Sequence, residues 1–131
     1  TNVINYIQIT TQGDAVDFGD MTGTSYESGA NSSYTRAVHT LGYSQPAYTD
    51  IIEYVTIQTA GNAIDFGNLA QAESKSCHMC DGIRDVMAAG YAPGGSYTNT
   101  IEYVTVASTG DSADFGNFCK KLIRVEVFVI I

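Results

Sequence analysis

Residues 50–69, DIIEYVTIQTAGNAIDFGNL, return as residues 99–118, NTIEYVTVASTGDSADFGNF, and as residues 2–21, NVINYIQITTQGDAVDFGDM. The tripeptide Asp-Phe-Gly anchors each copy, at Asp17-Phe18-Gly19, Asp65-Phe66-Gly67 and Asp114-Phe115-Gly116, spaced 48 and then 49 residues apart. Upstream, residues 36–43 (RAVHTLGY) match residues 84–91 (RDVMAAGY), so the repeat is a unit of about 48 residues that recurs nearly three times. A fixed period of this size is the mark of a repeat architecture.

Each unit reads as four short strands. Strand A is the weak Ser/Gly-rich stretch of residues 25–33 and 75–82, strand B the arginine-to-tyrosine run, strand C the IEYVTI-type run, and strand D the segment around Asp-Phe-Gly. Gly-Asn or Gly-Asp between C and D predicts a tight hairpin turn with positive φ at the glycine. Strand C carries bulky groups on both faces, Ile101 and Tyr103 on one and Val104 and Val106 on the other, as a sheet packed between neighbouring sheets requires. The expected division is a partial blade of strands C and D over residues 1–22, blades at 23–70 and 71–118, and a terminal β-strand at 119–131, where CKKLIRVEVFVII departs from the repeat. Such an apolar strand is an aggregation edge unless it is covered, either by this array or by another chain.

Composition agrees with an all-β class. Nine Tyr, five Phe, thirteen Gly and no Trp accompany abundant Thr, Val and Ile, and the charged fraction is only 15%. The net charge is −8, with thirteen acids in residues 1–119 set against Arg36, Lys75 and Arg84. Little is available to neutralise phosphates, so no nucleic acid is expected as a partner. No apolar run reaches the length of a membrane span, and no membrane insertion is expected. The chain opens on Thr1 inside a strand pattern, which predicts a natural polypeptide that extends further toward its N-terminus.

A four-stranded period of this length points to a β-propeller blade. The repeat resembles kelch motifs: Arg36 and Arg84, Gly42 and Gly90, Tyr54 and Tyr103, Gly61 and Gly110, and Phe66 and Phe115 fill the kelch places, with a single glycine in place of the kelch pair and Phe in place of its last-strand Trp. More narrowly, residues 2–21, 50–69 and 99–118 resemble the kelch-like arrays of tail-fibre and other virion-appendage proteins of marine bacteriophages. The resemblance covers residues 1 to about 118. It implies kelch-like blades of four short antiparallel strands forming an incomplete propeller, and a virion structural protein that is not an enzyme. It also implies a place on the virion surface or outside the cell, with other virion proteins and copies of itself as partners and a host surface glycan or protein as ligand. The alternative is a kelch-like interaction module of a secreted or cytoplasmic cellular protein.

Candidate chemistry is sparse. Asp-Phe-Gly binds magnesium in protein kinases, but this chain has no Gly-rich phosphate loop, strand lysine or His-Arg-Asp loop. The Phe is read as core instead. Cys77-His78-Met79-Cys80 has the spacing of a zinc half-site or redox pair, with Cys119 as a further thiol, yet lacks both a second ligand pair and a βαβ context. Acids at Asp14, Asp17 and Asp20, and at Asp111 and Asp114, suit calcium by spacing and suit turn and strand-end capping more simply. No metal and no cofactor is expected. His39 and His78 stand at unrelated places in the repeat, so a nucleophile triad is not expected. Arg36, Arg84, Tyr54, Tyr103, Phe18, Phe66 and Phe115 are read as repeat-structural residues. The B-to-C connections, residues 44–50 and 92–99, each place a tyrosine among small polar residues, which makes Tyr48 and Tyr97 the candidate binding residues.

Overall fold

The computed structural model describes residues 1–119. The terminal strand expected at 119–131 lies outside the described residues except for Cys119. The described chain is all-β, without a helix. Its first sheet pairs β1 (Val3–Tyr6) with β2 (Val16–Asp20). A four-stranded antiparallel meander follows, from β3 (Ala30–Ser32) through β4 (Arg36–Thr40) and β7 (Ile51–Thr56) to β8 (Ile64–Asn68). The same meander returns as β9 (Cys77–Cys80), β10 (Arg84–Ala88), β13 (Thr100–Thr105) and β14 (Ala113–Asn117). Two small hairpins interrupt the meanders: β5 (Tyr43–Ser44) with β6 (Ala47–Tyr48), and β11 (Tyr91–Ala92) with β12 (Ser96–Tyr97). Among the described residues the sheets close into neither a barrel nor a ring.

Two local expectations need correction. Strand B ends at Thr40 and Ala88 rather than at the tyrosine, because the backbone takes a positive φ at Gly42 (70°) and Ala89 (65°) and turns away. The link from C to D is also not a tight turn. It spans residues 57–63 in one meander, and Gly61 has no positive φ. Gly110, its counterpart in the second meander, has the expected positive φ (157°), and the Asp-Phe-Gly glycine has one in every copy, at 152° for Gly19, 151° for Gly67 and 141° for Gly116.

That glycine is where one repeat meets the next. A Cβ on Gly19 would lie 2.4 Å from the Gly61 carbonyl oxygen, and one on Gly67 would lie 2.3 Å from that of Gly110. Backbone bonds fix the approach. The Gly61 amide donates to the Phe18 carbonyl (2.8 Å) and the Ala63 amide to the Asp20 carbonyl (2.8 Å). One repeat later Gly110 donates to Phe66 (2.7 Å) and Ser112 to Asn68 (2.9 Å). Side chains add a third bond, with the Asp20 amide donating to Asn62 Oδ1 and the Asn68 amide to Asp111 Oδ1, both at 3.0 Å. The outer edge of strand D is thus covered by the turn of the following repeat, as an exposed sheet edge must be.

Behind this seam lies the core. Val38, Ile52, Phe66 and Leu69 from one meander pack with Met87, Val104 and Val106 from the next, joined by Tyr54 and Cys80. Phe66 is 2% exposed here, whereas Phe115, whose strand carries no following repeat among the described residues, is 56% exposed. The expectation that this phenylalanine is core therefore fails at Phe115, and Phe18 is only half-buried. Burial is complete at Phe66, which lies in a four-stranded sheet and also has a following repeat packed on it.

Candidate functional site

The two small hairpins build the most distinctive surface of the molecule. In each, the register sets two tyrosines opposite one another, Tyr43 across from Tyr48 and Tyr91 across from Tyr97. Both pairs meet edge to face with ring centroids 5.0 Å apart, a favoured aromatic geometry. Tyr48 and Tyr91 then bridge the two hairpins at 6.3 Å, so four half-buried rings form one ladder across two repeats. Tyr48 and Tyr97, singled out separately from their loops, are the second and fourth rungs. Tyr43 and Tyr91, read as the ends of strand B, are the others.

The ladder is held from below. Tyr26 exchanges backbone bonds with Tyr43 (3.0 and 2.9 Å), and Ser74 does the same with Tyr91 (3.0 and 2.6 Å). The Lys75 ammonium lies 4.8 Å above the Tyr91 ring centroid and 3.2 Å from Glu27 Oε1, and Glu27 holds the lysine pKa above its usual value. Glu27 also accepts a hydrogen bond from Ser74 Oγ at 3.0 Å. Tyr26, Glu27, Tyr43, Pro46, Tyr48 and Lys75 line an open cleft of about 510 Å³. Flat apolar faces, phenol hydroxyls and one ion pair suit a ligand with both C–H faces and hydroxyl groups.

Glu73 anchors the same region. Its amide donates to the Thr49 carbonyl (3.2 Å), and its Oε2 accepts from Thr98 Oγ1 (3.2 Å), which ties together the strands that leave the two hairpins. Burial raises its pKa to about 7, the Thr98 hydroxyl opposing the shift and the Glu102 charge adding to it. A Cβ on Gly90 would strike the Glu73 carboxyl at 1.9 Å, which is why the chain is bare at that turn.

The repeat-structural residues form a second system toward the other end of the sheets. The Arg36 guanidinium stacks 4.4 Å over Tyr54, which meets Phe66 edge-on at 5.8 Å. Arg84, Tyr103 and Phe115 repeat this at 4.8 and 6.0 Å, and Tyr6 and Phe18 supply the last two members in the first repeat. Arg36 Nη1 also donates to the Val106 carbonyl of the next repeat at 3.0 Å.

Buried carboxylates are the part that sequence reasoning missed. Glu53 lies on β7 just after a β-bulge that recurs at the same step in each repeat, and its carboxylate reaches the Thr22 amide, the Thr22 hydroxyl and His39 Nε2 (3.2 Å). Glu102, its counterpart, accepts from the Ala70 amide (3.2 Å) and Ser112 Oγ (2.6 Å). Each clamps the chain leaving the preceding repeat. The signal was the return of Glu at one place in two otherwise apolar strands.

Ser76, His78 and Asp85 meet in hydrolase order, Ser76 Oγ to His78 Nε2 at 3.2 Å and His78 Nδ1 to Asp85 Oδ2 at 2.9 Å. The group does not recur with the repeat, in keeping with the unrelated places of the two histidines. The His78 and Asp85 side chains are each 1% exposed, Ser76 is buried, and Gly29 of the neighbouring sheet packs on the imidazole. With Thr40 Oγ1 at 3.4 Å from Nε2, the group is a polar bracket between two sheets. In the first meander the equivalent places are Ala30 and Ala37.

Cys77 and Cys80 lie three positions apart on one strand and so point to opposite faces, with Cα atoms about 10 Å apart, too far for a disulfide. Burial pushes the Cys80 thiol pKa up, which disfavours its thiolate. Among the described residues no group of His, Cys, Asp or Glu is arranged to hold a metal ion. Asp111 is used as a cap between repeats and Asp114 Oδ1 accepts the Gly116 amide (3.0 Å).

No protein-family model matches this sequence, and no curated protein matches it significantly.

Proposed function

We propose that this chain is a non-catalytic structural and adhesive module of a virion appendage, a phage tail fibre or spike, whose four-stranded meanders are kelch-like propeller blades and whose tyrosine ladder contacts a host-surface glycan. The ladder carries the reading: four rings held in line across two repeats favour an extended ligand over a small metabolite. Rigid tyrosines bind such surfaces at low entropy cost, and loops on a stiff scaffold are where binding residues collect. The resemblance of residues 2–21, 50–69 and 99–118 to phage arrays supports the setting. The buried state of Ser76, His78 and Asp85 supports the absence of catalysis.

Binding of the chain to an array of bacterial surface saccharides tests this. Tyr48→Ala and Tyr97→Ala are each expected to weaken binding about five- to tenfold, the loss of roughly 1 kcal/mol of aromatic contact. Tyr34→Ala, at a solitary ring 92% exposed, is expected to leave it unchanged. Binding to protein ligands with no saccharide recognised would favour the cellular interaction module instead.

A further inference from the structure

Residues 73–75 depart from the repeat at the place where the tyrosine ladder crosses from one repeat to the next. Their counterparts in the first repeat are Ser25, Tyr26 and Glu27. There Ser25 Oγ donates to the Leu41 carbonyl (2.7 Å) and Thr49 Oγ1 to the Gly42 carbonyl (3.2 Å), so neutral hydroxyls close the turn that carries the hairpin. In the second repeat a carboxyl replaces the first of these hydroxyls. Glu73 Oε2 accepts from Thr98 Oγ1 (3.2 Å), the counterpart of Thr49, and the carboxyl packs directly on Gly90. A carboxyl can donate a hydrogen bond, as Ser25 does, only when it is protonated.

The same three residues hold the crossing itself. The Glu73 amide donates to the Thr49 carbonyl, one residue beyond Tyr48 (3.2 Å), and Ser74 exchanges two backbone bonds with Tyr91 (3.0 and 2.6 Å). Ser74 Oγ and the Lys75 amide both donate to Glu27 (3.0 and 2.7 Å), and the Lys75 ammonium lies over the Tyr91 ring. What they support is the Tyr48–Tyr91 step at 6.3 Å, which joins the hairpins of two repeats. The backbone beneath it is strained, since Glu27 and Lys75, at one place in successive repeats, both take a left-handed φ, 57° and 61°. Around the Glu73 carboxyl, the turn at Gly90 and the strand exits at Thr49 and Thr98 bring no charge, β13 brings Glu102, and Lys75 is engaged with Glu27 and Tyr91. Burial and the Glu102 charge oppose ionisation and the Thr98 hydroxyl favours it, which leaves the pKa at about 7.

We infer that Glu73 is a pH-responsive positioning residue for the tyrosine ladder: as a neutral acid it holds the two hairpins in line, and as a carboxylate it draws water in against Gly90, shifts residues 73–75 and breaks the Tyr48–Tyr91 step. A ligand that needs all four rings is bound below neutral pH and released above it. Because burial makes the native state hold this proton, the competent form is full at low pH and is lost as pH rises through 7. The ligand half of the inference rests on the ladder being the binding surface. The coupling of Glu73 to the rings does not, and is measurable without ligand.

Two readouts test it: tyrosine ring resonances followed by NMR across neutral pH without ligand, and binding to the same array of bacterial surface saccharides. In wild type the Tyr48 and Tyr91 resonances are expected to titrate together with a midpoint near 7 while circular dichroism stays constant. Binding is expected to be about tenfold tighter near pH 6 than near pH 8, the change in the neutral fraction of such a group. Glu73→Gln, neutral and of the same shape, is expected to abolish both pH dependences. Thr98→Val, which removes the hydroxyl that favours the carboxylate, is expected to move the midpoint up. Rings that do not titrate near 7, a Glu73→Gln protein with the wild-type profile, a Thr98→Val midpoint that stays or falls, or saccharide binding equal at both pH values would overturn the inference. Rings that titrate as expected while no saccharide binds at either pH would bear out the coupling and sink the glycan reading.

Discussion

At the residue scale the acids divide by what surrounds them. Asp111 and Asp114 act as backbone acceptors near the surface, while Glu53 and Glu102 are buried and satisfied by amides and hydroxyls. Glu73 differs, since its pKa of about 7 sits well above the usual 4.5. A folded-state pKa above the unfolded one means that the native protein holds the proton more tightly. Stability from this group is therefore full below pH 4.5 and is lost as pH rises through 7, an effect of about 3 kcal/mol. Denaturant titrations across this range should show wild type losing stability toward neutral pH and Glu73→Gln losing much less of it; an unchanged slope in the variant would place the titration elsewhere. The sequence held no sign of this, because Glu73 lies in an irregular segment and its burial depends on Gly90 and Thr98 far along the chain.

At the element scale, the B, C and D strands were legible because each repeats with the same alternation, and the all-β class followed. The small hairpins were not legible. Strands of two residues have no periodicity, and Tyr43 and Tyr91 read as the ends of strand B because only the turns at Gly42 and Ala89 redirect them. Tyr48 and Tyr97 could be picked out by their place in loops, but the ladder needs the register that those turns impose. The Asp-Phe-Gly glycine was likewise visible as a repeat and invisible as a seam, since its role is to admit a carbonyl from the following repeat. The phenylalanine beside it gives a test of that seam. Phe66→Ala is expected to cost about 3–4 kcal/mol by emptying a packed site, and Phe115→Ala less than about 1 kcal/mol in the monomer. Thermal or urea unfolding of the two variants measures the difference, and equal losses would contradict burial by the neighbouring sheet.

At the scale of the whole molecule, the Arg–Tyr–Phe stacks and the tyrosine hairpins sit at opposite ends of the sheets. The Arg–Tyr–Phe stacks, the backbone bonds from turn to strand D and the buried glutamates join successive repeats, which makes the array quasi-one-dimensional. The tyrosine hairpins project from the other end, where Tyr48 meets Tyr91 of the next repeat, so two repeats are needed to complete one ladder. Repetition of this kind suits an elongated or ring-shaped particle component that offers its contact surface many times, where weak single contacts add through multivalency. Cryo-electron microscopy of the protein in its native source tests the account most directly. It predicts four-stranded sheets side by side on a virion appendage, with Tyr43, Tyr48, Tyr91 and Tyr97 facing outward. Particles that lack the protein, or density in which those hairpins are sealed against the virion, would contradict it.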